Sequence, residues 1–337
     1  MLYEVAYVAG FGGDVGWAIG VTVNPAGSKG STTIQFSLTA SYYFSFDDKD
    51  LRRDPTVALV AYSGDNEVPR SIKSFDVNKW NRTLLTNPGP ASSKGTGINW
   101  PLMRYPDVLL MFAEADNELN NGPTIQAKNM LKRVRQRAFK SEDHPLKVEN
   151  YINGLGSKDA FFNAIVNERA WEFGGEALRK FDLIRWNIYG RKILETKETL
   201  TNMAKAARGV ELDNPAVAQY SNLADYTYWY KTEGKVKFLT TKYKLADDKI
   251  PAADKLVIAA DIDLPGNEGK YVKIGWARDF GDYVNGVWVT DSYVNNCWRG
   301  FKGTSNETAV PYLIAIHSQI TGASKYLKNE GYGLVNE

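Results

Sequence analysis

The chain has little of the chemistry that builds most metal and covalent sites. It holds one cysteine, Cys297, and two histidines, His144 and His317, among 337 residues. A single cysteine excludes an intramolecular disulfide and a cysteine-based zinc site, and two histidines exclude a histidine-rich metal centre. Any Ser-His-Asp triad would have to use one of these two histidines. We therefore expect no metal ion and no cofactor.

The sequence also has no large excess of one charge and no long apolar run. The sequence has 41 basic and 39 acidic residues, a net charge of +2 and no block of like charge. A nucleic-acid-binding surface would gather Lys and Arg on one face, so we expect no nucleic-acid partner. No apolar run approaches the roughly 20 residues of a membrane-spanning helix. The first residues lack the basic and apolar regions of a signal peptide.

Aromatic residues, by contrast, are abundant, with 9 Trp and 19 Tyr. A sugar ring offers an apolar face of C–H groups to an aromatic ring, while its hydroxyls need polar side chains at the rim. Aromatic residues beside Gly, Asp and Asn before the central helices suit this role, and we predict as ligand contacts Trp17, Tyr42, Tyr43 and Trp80. A later group has a similar setting: Trp288, Tyr293 and Trp298. Core anchoring is the competing interpretation for every one of them.

The strongest helical periodicity lies between Arg104 and Trp186. Val108, Phe112, Ala115 and Leu119 recur at three- and four-residue intervals, which predicts a helix over 104–120 with this stripe facing inward. Further cap and stop signals predict a second helix over 124–139 and a third from Ser157 to the pair Gly174-Gly175. A short helix is predicted after that pair, ending at about Trp186, and another over 192–208. The short connection after the first of these helices makes it an antiparallel neighbour of the second.

Acidic residues in the third helical stretch raise the question of catalysis. Two carboxylates across a cleft are the arrangement of a glycoside hydrolase. Here, however, the acids alternate with arginines at helical spacings, which indicates ion pairs within a scaffold and carboxylates that stay ionised. The residues concerned are Glu168, Arg169, Glu172, Glu176, Arg179, Asp182 and Arg185. We therefore predict a protein that is not an enzyme.

These patterns divide the chain into three segments. Residues 1–103 form a loop and short-strand segment, 104–208 a helical block, and 209–337 an irregular C-terminal segment. The sequence opens abruptly in the strand-like run of residues 2–9. From this we expect the chain to be the later part of a longer protein.

Several separated stretches carry a family resemblance. They are Leu2–Tyr7, Asp50-Leu51-Arg52, Arg104–Met111 with Ala113-Glu114-Ala115, Val134-Arg135 with Arg137-Ala138, parts of Glu168–Trp186, Pro311–Ile316 and Asn329–Tyr332. In this order they resemble the SusD/RagB family, the outer-membrane nutrient-binding lipoproteins of Bacteroidetes. Ala177 departs from the pattern, because the family usually has Gly there. The lipidated N-terminal cysteine and the first helical half of the family are also absent.

The resemblance implies a mainly α, SusD-like fold with tetratricopeptide-like helix pairs and a large region of irregular loops and short strands. It also implies a non-catalytic, surface-exposed protein of the outer membrane, anchored by an N-terminal lipid that this chain lacks. Such a protein captures glycan, or in some members peptide, and delivers it to a SusC-like TonB-dependent transporter. A helical-repeat scaffold that binds only protein and a glycoside hydrolase are the alternative functions.

Overall fold

The computed structural model describes residues 2–90, 93–296, 301 and 303–305. Its α-helices are α1 (Ala40–Ser45), α2 (Arg53–Thr56), α3 (Tyr105–Leu119), α4 (Ile125–Gln136), α5 (Tyr151–Asn153), α6 (Lys158–Phe173), α7 (Arg179–Arg185), α8 (Tyr189–Ala207), α9 (Pro215–Ala218) and α10 (Ser292–Asn296). Among the described residues, no helix has the length and apolar character needed to cross a membrane. Several positions named in the sequence analysis lie outside the described residues: Cys297, Trp298, 311–316, His317 and 329–332.

Short strands pair with one another in the segments on either side of the central helices. They are β1 (Tyr3–Val5), β2 (Val57–Ala58), β3 (Val60–Ser63), β4 (Asn66–Pro69), β5 (Asp76–Val77), β6 (Trp100–Met103), β7 (Tyr226–Thr232), β8 (Lys235–Phe238), β9 (Val272–Gly275), β10 (Gly281–Val284) and β11 (Val287–Thr290). All pair antiparallel, as β1–β6, β2–β5, β3–β4, β8–β7–β9 and β10–β11. In the part of the chain described here, no sheet exceeds three strands.

The central helices begin and end where the local sequence predicts. The Thr124 hydroxyl accepts a hydrogen bond from the Ala127 amide at 3.2 Å and caps α4, and Ser157 caps α6 in the same way. Asn120 caps the end of α3, and Asn121 after it takes φ 52°, a left-handed conformation that ends the helix. The predicted helices are therefore confirmed to within a few residues.

The face of α3 that turns inward is not the predicted one. Leu110 and Ala113 are fully buried and pack against α4 and α6. Val108, Phe112 and Leu119 are instead 36 %, 44 % and 85 % exposed. The prediction that this stripe faces inward is wrong, because α3 carries apolar residues on two faces and the neighbouring helices cover the other one.

One hydrophobic core draws on all three predicted segments. Phe46 and Phe75 from the first, Leu200 from the second, and Trp276 and Phe280 from the third pack together, each at most 1 % exposed. A smaller core lies between α3, α4 and α6. Residues far apart in the sequence thus bury each other's apolar surface, and the irregular segments are held against the helices by packing.

Buried ion pairs join α6 to the segments around it. The Glu168 carboxylate is fully buried and accepts hydrogen bonds from Arg52 at 2.7 Å and from Arg135 at 2.9 Å. The next residue of the helix, Arg169, donates to Asp107 at 2.6 Å and to Asp182 at 2.7 Å. The prediction that these acids form ion pairs is confirmed.

The same network continues beyond the end of α6. Arg104, the residue before α3, donates to Glu172 at 2.8 Å and to both carboxylate oxygens of Glu176. Lys79 reaches Glu176 at 2.7 Å, and Arg137 reaches Glu172 at 3.0 Å. Each carboxylate therefore has at least two cationic partners, which offsets the desolvation of a buried charge.

Replacing Glu168 with alanine tests the buried network. We expect Glu168→Ala to lower the free energy of unfolding by about 3–5 kcal/mol, because Arg135 would be left buried without its carboxylate. Glu118→Ala is the matched control: its pair with Lys158 is exposed, so the loss should stay below about 1 kcal/mol. Urea unfolding followed by circular dichroism measures both. Similar losses for the two variants would contradict the prediction.

Acid should weaken this network. Burial alone would raise the pKa of Glu172, but Arg104 foremost, then Arg137 and Arg52, hold that pKa below its usual value of 4.5. Ionised Glu172 therefore stabilises the fold at neutral pH, and this stabilisation is lost as the pH falls through the lowered pKa. We expect the stability difference between wild type and Glu172→Gln to be constant above about pH 5 and to shrink below about pH 4.5. An unchanged difference in urea unfolding at about pH 3 would argue against this role.

Candidate ligand-binding cleft

Two of the predicted ligand contacts, Trp17 and Trp80, belong to one cluster of loops. A Cβ on Gly20 would lie only 2.6 Å from the carbonyl oxygen of Trp80, and one on Gly16 would lie 3.1 Å from it. Gly16 also takes φ 86°, a conformation that glycine adopts without strain. The glycines around Trp17 therefore allow its loop to lie directly on the backbone at Trp80.

Trp17 itself is partly exposed and is hydrogen-bonded to a neighbouring segment. Its carbonyl oxygen accepts from the Thr33 amide at 3.0 Å, and the next carbonyl, that of Ala18, accepts from Gln35 at 2.9 Å. The ammonium of Lys94 lies 4.6 Å from the centre of the Trp17 ring, within the range of a cation–π interaction. One face of the indole is thus occupied by Lys94.

The segment beside Trp17 forms one wall of a cleft of about 370 Å³. The cleft is lined by Thr22, Asn24, Thr32, Thr33, Ile34, Gln35, Phe36, Ser37 and Arg70. Phe36 is 40 % exposed, and most of its neighbours carry hydroxyl, amide or guanidinium groups. One accessible aromatic ring among several hydrogen-bonding side chains is a lining suited to a polar ligand with an apolar face.

Buried polar groups hold the cleft walls in place. Arg70 donates to the Ser74 carbonyl at 2.7 Å and lies 3.1 Å from Asp76. Asp76 is fully buried and accepts from the Thr22 amide at 2.8 Å. Burial raises the pKa of Asp76, and the opposing effects of Arg70 and the Thr22 amide are smaller. Arg70 therefore reaches the cleft as a side chain already positioned by its own partners.

Trp80 forms a structural hydrogen bond, and its ring is partly exposed. Its indole N–H donates to the Gly175 carbonyl at 2.7 Å, next to the end of α6. Its ring lies 5.3 Å from that of Trp100, centre to centre. Sequence reasoning did not single out Trp100 or Phe36, because no local pattern marks them and their surroundings come from residues far away in the chain.

Of the other two predicted contacts, Tyr43 belongs to the core and Tyr42 is partly buried against it. Tyr43 is 1 % exposed, and its hydroxyl lies 2.8 Å from that of Thr241. Tyr42 donates to the Ala170 carbonyl at 2.9 Å, and burial raises the pKa of its hydroxyl. The Tyr43 ring is therefore closed to a ligand, whereas the Tyr42 ring is only partly buried. Neither tyrosine lines the cleft beside Trp17.

Another open groove, of about 480 Å³, lies between β7 and the loop at 262–270. Lys231 and Asp263 form an ion pair across it at 2.6 Å, and Tyr230 packs edge-on against Tyr271. The cleft beside Trp17 is the stronger candidate because its wall is hydrogen-bonded to a predicted ligand contact and carries an exposed aromatic ring.

Comparison with known proteins identifies the family. The sequence model of the SusD family matches residues 56–254, more than half of the chain. The chain belongs to the SusD family. SusD-like protein P25 of Formosa agariphila is 44 % identical over 87 residues, which cover 26 % of this chain and 15 % of that protein. SusD-like protein P2 of the same organism is 30 % identical over 195 residues, covering 54 % of this chain and 37 % of the relative.

A solved structure has the same fold over most of this SusD-family chain. A SusD homolog from Bacteroides thetaiotaomicron superposes with a TM-score of 0.52 at 24 % identity, covering 65 % of this chain and 46 % of that one. This likeness confirms the predicted SusD-like, mainly helical fold. The chain matches less than half the length of each of these relatives.

Stability measurements test whether Tyr43 lies in the core and Phe36 lies at the cleft. We expect Tyr43→Ala to lower the free energy of unfolding by about 3–5 kcal/mol, because it empties a filled site in the core. Phe36→Ala should cost less than about 1 kcal/mol, since the Phe36 ring is substantially exposed. Urea unfolding of both variants tests the assignment. Equal losses would place Phe36 in the core rather than at the cleft.

Proposed function

We propose that this SusD-family chain is part of a cell-surface protein that captures oligo- or polysaccharide in the cleft beside Trp17. The observation that carries the proposal is the composition of that cleft: exposed Phe36 among hydroxyl, amide and guanidinium groups, on a segment hydrogen-bonded to Trp17. A saccharide needs both an apolar platform and a ring of hydrogen-bonding groups. Glycan capture is also what the resemblance to the SusD/RagB family implies.

In this proposal, binding rests on stacking and hydrogen bonds, with no chemical step. Phe36 stacks on the C–H face of a sugar ring, while Gln35, Asn24 and Arg70 bind its hydroxyls. Lys94 covers one face of the Trp17 indole, so a sugar unit stacks on the opposite face. Trp80 stays a proposed contact through the exposed part of its ring, and it positions the loop that carries Trp17.

The family resemblance supports the wider setting of the proposal. We infer that the complete protein is a lipid-anchored component of the outer membrane that passes its glycan to a SusC-like TonB-dependent transporter. The helix pairs α3–α4 and α6–α7 are then the tetratricopeptide-like repeats of the family. Peptide in place of glycan is the alternative ligand that some members of the family imply.

The ion pairs of α6 argue against hydrolysis. A glycoside hydrolase needs one carboxyl group that is protonated and another that is free to attack or to activate water. Glu168, Glu172, Glu176 and Asp182 are each bound by arginine or lysine and buried. Release of reducing sugar that disappears in Glu176→Gln would restore this alternative. A scaffold that binds only protein would bind no saccharide at all.

Titration with a panel of polysaccharides tests the proposal. Isothermal titration calorimetry should detect saturable binding, and Trp17→Ala and Phe36→Ala should each weaken it about three- to tenfold, because each removes one stacking platform. Tyr283→Ala, which removes an exposed tyrosine from the hairpin β10–β11, outside the lining of the cleft, is the matched control and should leave the affinity unchanged.

The outcomes separate the site from the function. Unchanged affinity in both the Trp17 and the Phe36 variants would reject the cleft, although the protein would still be a glycan-binding one. Absence of binding to every polysaccharide, together with co-purification of an outer-membrane barrel protein, would favour the protein-binding scaffold.

A further inference from the structure

The sheet β8–β7–β9 has one face in a core and an opposite face that is rich in tyrosine. Side chains alternate between the two faces of a strand, and residues paired across neighbouring strands share a face. Trp229 of β7 and its partner Val272 of β9 are buried in a small core, which identifies the inner face. The outer face of β7 therefore carries the three tyrosines of the strand: Tyr226, Tyr228 and Tyr230.

Two lysines belong to the same outer face, one on each flanking strand. Lys237 of β8 pairs with Tyr230, and Lys273 of β9 pairs with Tyr228. Tyr271, just before β9, packs edge-on against Tyr230 with 5.3 Å between the ring centres. We call this surface the tyrosine face, and its members are Tyr226, Tyr228, Tyr230, Lys237, Tyr271 and Lys273.

The two lysines of the tyrosine face are exposed and have no carboxylate partner among the residues that the structure describes. The neighbouring lysines of the sheet differ, because Lys231 is paired with Asp263 at 2.6 Å and Lys235 with Glu67 at 2.8 Å. An ammonium group without a carboxylate partner keeps its charge available for an anionic ligand.

The tyrosines of this face offer hydroxyl groups as well as rings. Within the described part of the chain, the hydroxyls of Tyr228, Tyr230 and Tyr271 have no hydrogen-bond partner. Only the Tyr226 hydroxyl accepts a hydrogen bond, from Arg278. A phenol hydroxyl can donate to a carboxylate or sulfate oxygen and can also bond to a sugar hydroxyl. The face thus combines cations with hydrogen-bonding hydroxyls.

Acidic residues lie around the tyrosine face but are absent from its three strands. Strands β7, β8 and β9 contain no Asp or Glu. Glu233 lies in the turn between β7 and β8, and Asp279 lies over Gly275 at the end of β9, where a Cβ would come within 2.1 Å of its carboxylate. These acids bound the face and confine an anionic ligand to the area between them.

The two free ammonium groups are directed apart. Lys237 and Lys273 lie on strands separated by β7, so their backbones are roughly 10 Å apart across the sheet. The Lys273 ammonium lies 3.8 Å from the centre of the Tyr226 ring, on the side of Tyr228 away from Tyr230 and Lys237. One small anion would not bridge the two lysines in this arrangement. A polymer with repeated anionic groups would engage both.

We propose that the tyrosine face is a second glycan contact of this protein, selective for polysaccharide that carries carboxylate or sulfate groups. Lys237 and Lys273 bind anionic groups on separate sugar units, and the free tyrosine hydroxyls bind the sugars between them. The cleft beside Trp17 lacks such a cation, because Arg70 is already paired with Asp76 at 3.1 Å. This inference rests on the proposed glycan binding, to which it adds a preference for charge.

The small number of free cations distinguishes this ligand from nucleic acid. Nucleic acid carries a charge on every phosphate and is bound by clustered Lys and Arg, whereas the tyrosine face has two ammonium groups without a carboxylate partner among the described residues. The net charge of the whole chain is only +2. An anionic polysaccharide, with hydroxyl groups between its charges, is the better complement.

Isothermal titration calorimetry with charged and neutral polymers tests the proposal. The probes are dextran sulfate and polygalacturonate, with dextran as the neutral partner of the first. At about 50 mM salt, we expect the wild type to bind at least one of the two anionic polymers. Lys237→Gln/Lys273→Gln should weaken that binding about tenfold, because two charge-assisted contacts are lost. Failure of both anionic polymers to bind the wild type would overturn the proposal.

Two further double variants separate the site from net charge and from folding. Lys237→Arg/Lys273→Arg keeps both charges and should retain the affinity within about threefold. Lys140→Gln/Lys180→Gln removes two exposed lysines outside the sheet and should leave the affinity unchanged. Equal weakening by the two Gln double variants would show a response to net charge alone and would reject the tyrosine face. Urea unfolding confirms that each variant is folded.

Phe36→Ala distinguishes this inference from the proposed function. A neutral polysaccharide that binds the wild type should lose affinity in Phe36→Ala and keep it in Lys237→Gln/Lys273→Gln. If Phe36→Ala has this effect and the lysine variant leaves anionic binding unchanged, the tyrosine face is rejected while the cleft stands. If the lysine variant alone has an effect, the tyrosine face stands and the cleft is rejected.

Discussion

The carboxylates of α6 and the turn after it lie where the helices meet the loops, and each is held by cations from elsewhere in the chain. Arg52 comes from a loop before α2, Lys79 from the turn after β5, and Arg104 from the start of α3. A buried carboxylate that lost its cation would carry a large desolvation cost, so these segments are tied to one another. The position of the irregular first segment on the helical block depends on this network.

The cleft depends on a second constraint, the close approach of loop backbones. Gly16 and Gly20 let one loop lie on Trp80, and fully buried Arg82 donates to the carbonyls of Ser31 and Pro88. The guanidinium thereby joins the loop before the cleft wall to the loop that follows Trp80. Side chains on loops held this firmly are arranged before a ligand arrives, which lowers the entropic cost of binding.

Local sequence patterns were sufficient to predict the helices and the ion pairs of the acidic residues. They were insufficient to predict which face of α3 is buried and which residues line the cleft. Thr124 and Ser157 cap their helices through their own side chains, so a short window of sequence contains the whole cause. The inward face of α3 depends on which neighbouring helices cover it, and no short window contains that information. The tyrosines of α1 illustrate the same limit, because their surroundings are the distant residues Ala170 and Thr241.

The sequence alone predicted the order of elements, the helix boundaries, the ion-pair pattern and the family. Each of these depends on residue types at short or fixed spacings. Only the folded chain decided that Tyr43 is a core residue, that Phe36 and Arg70 line one cleft beside the Trp17 loop, and that Leu110 and Ala113 rather than Val108 and Phe112 form the buried face of α3. These features arise where residues distant in sequence compete to bury the same surface. The outcome of that competition depends on the packing of the whole molecule.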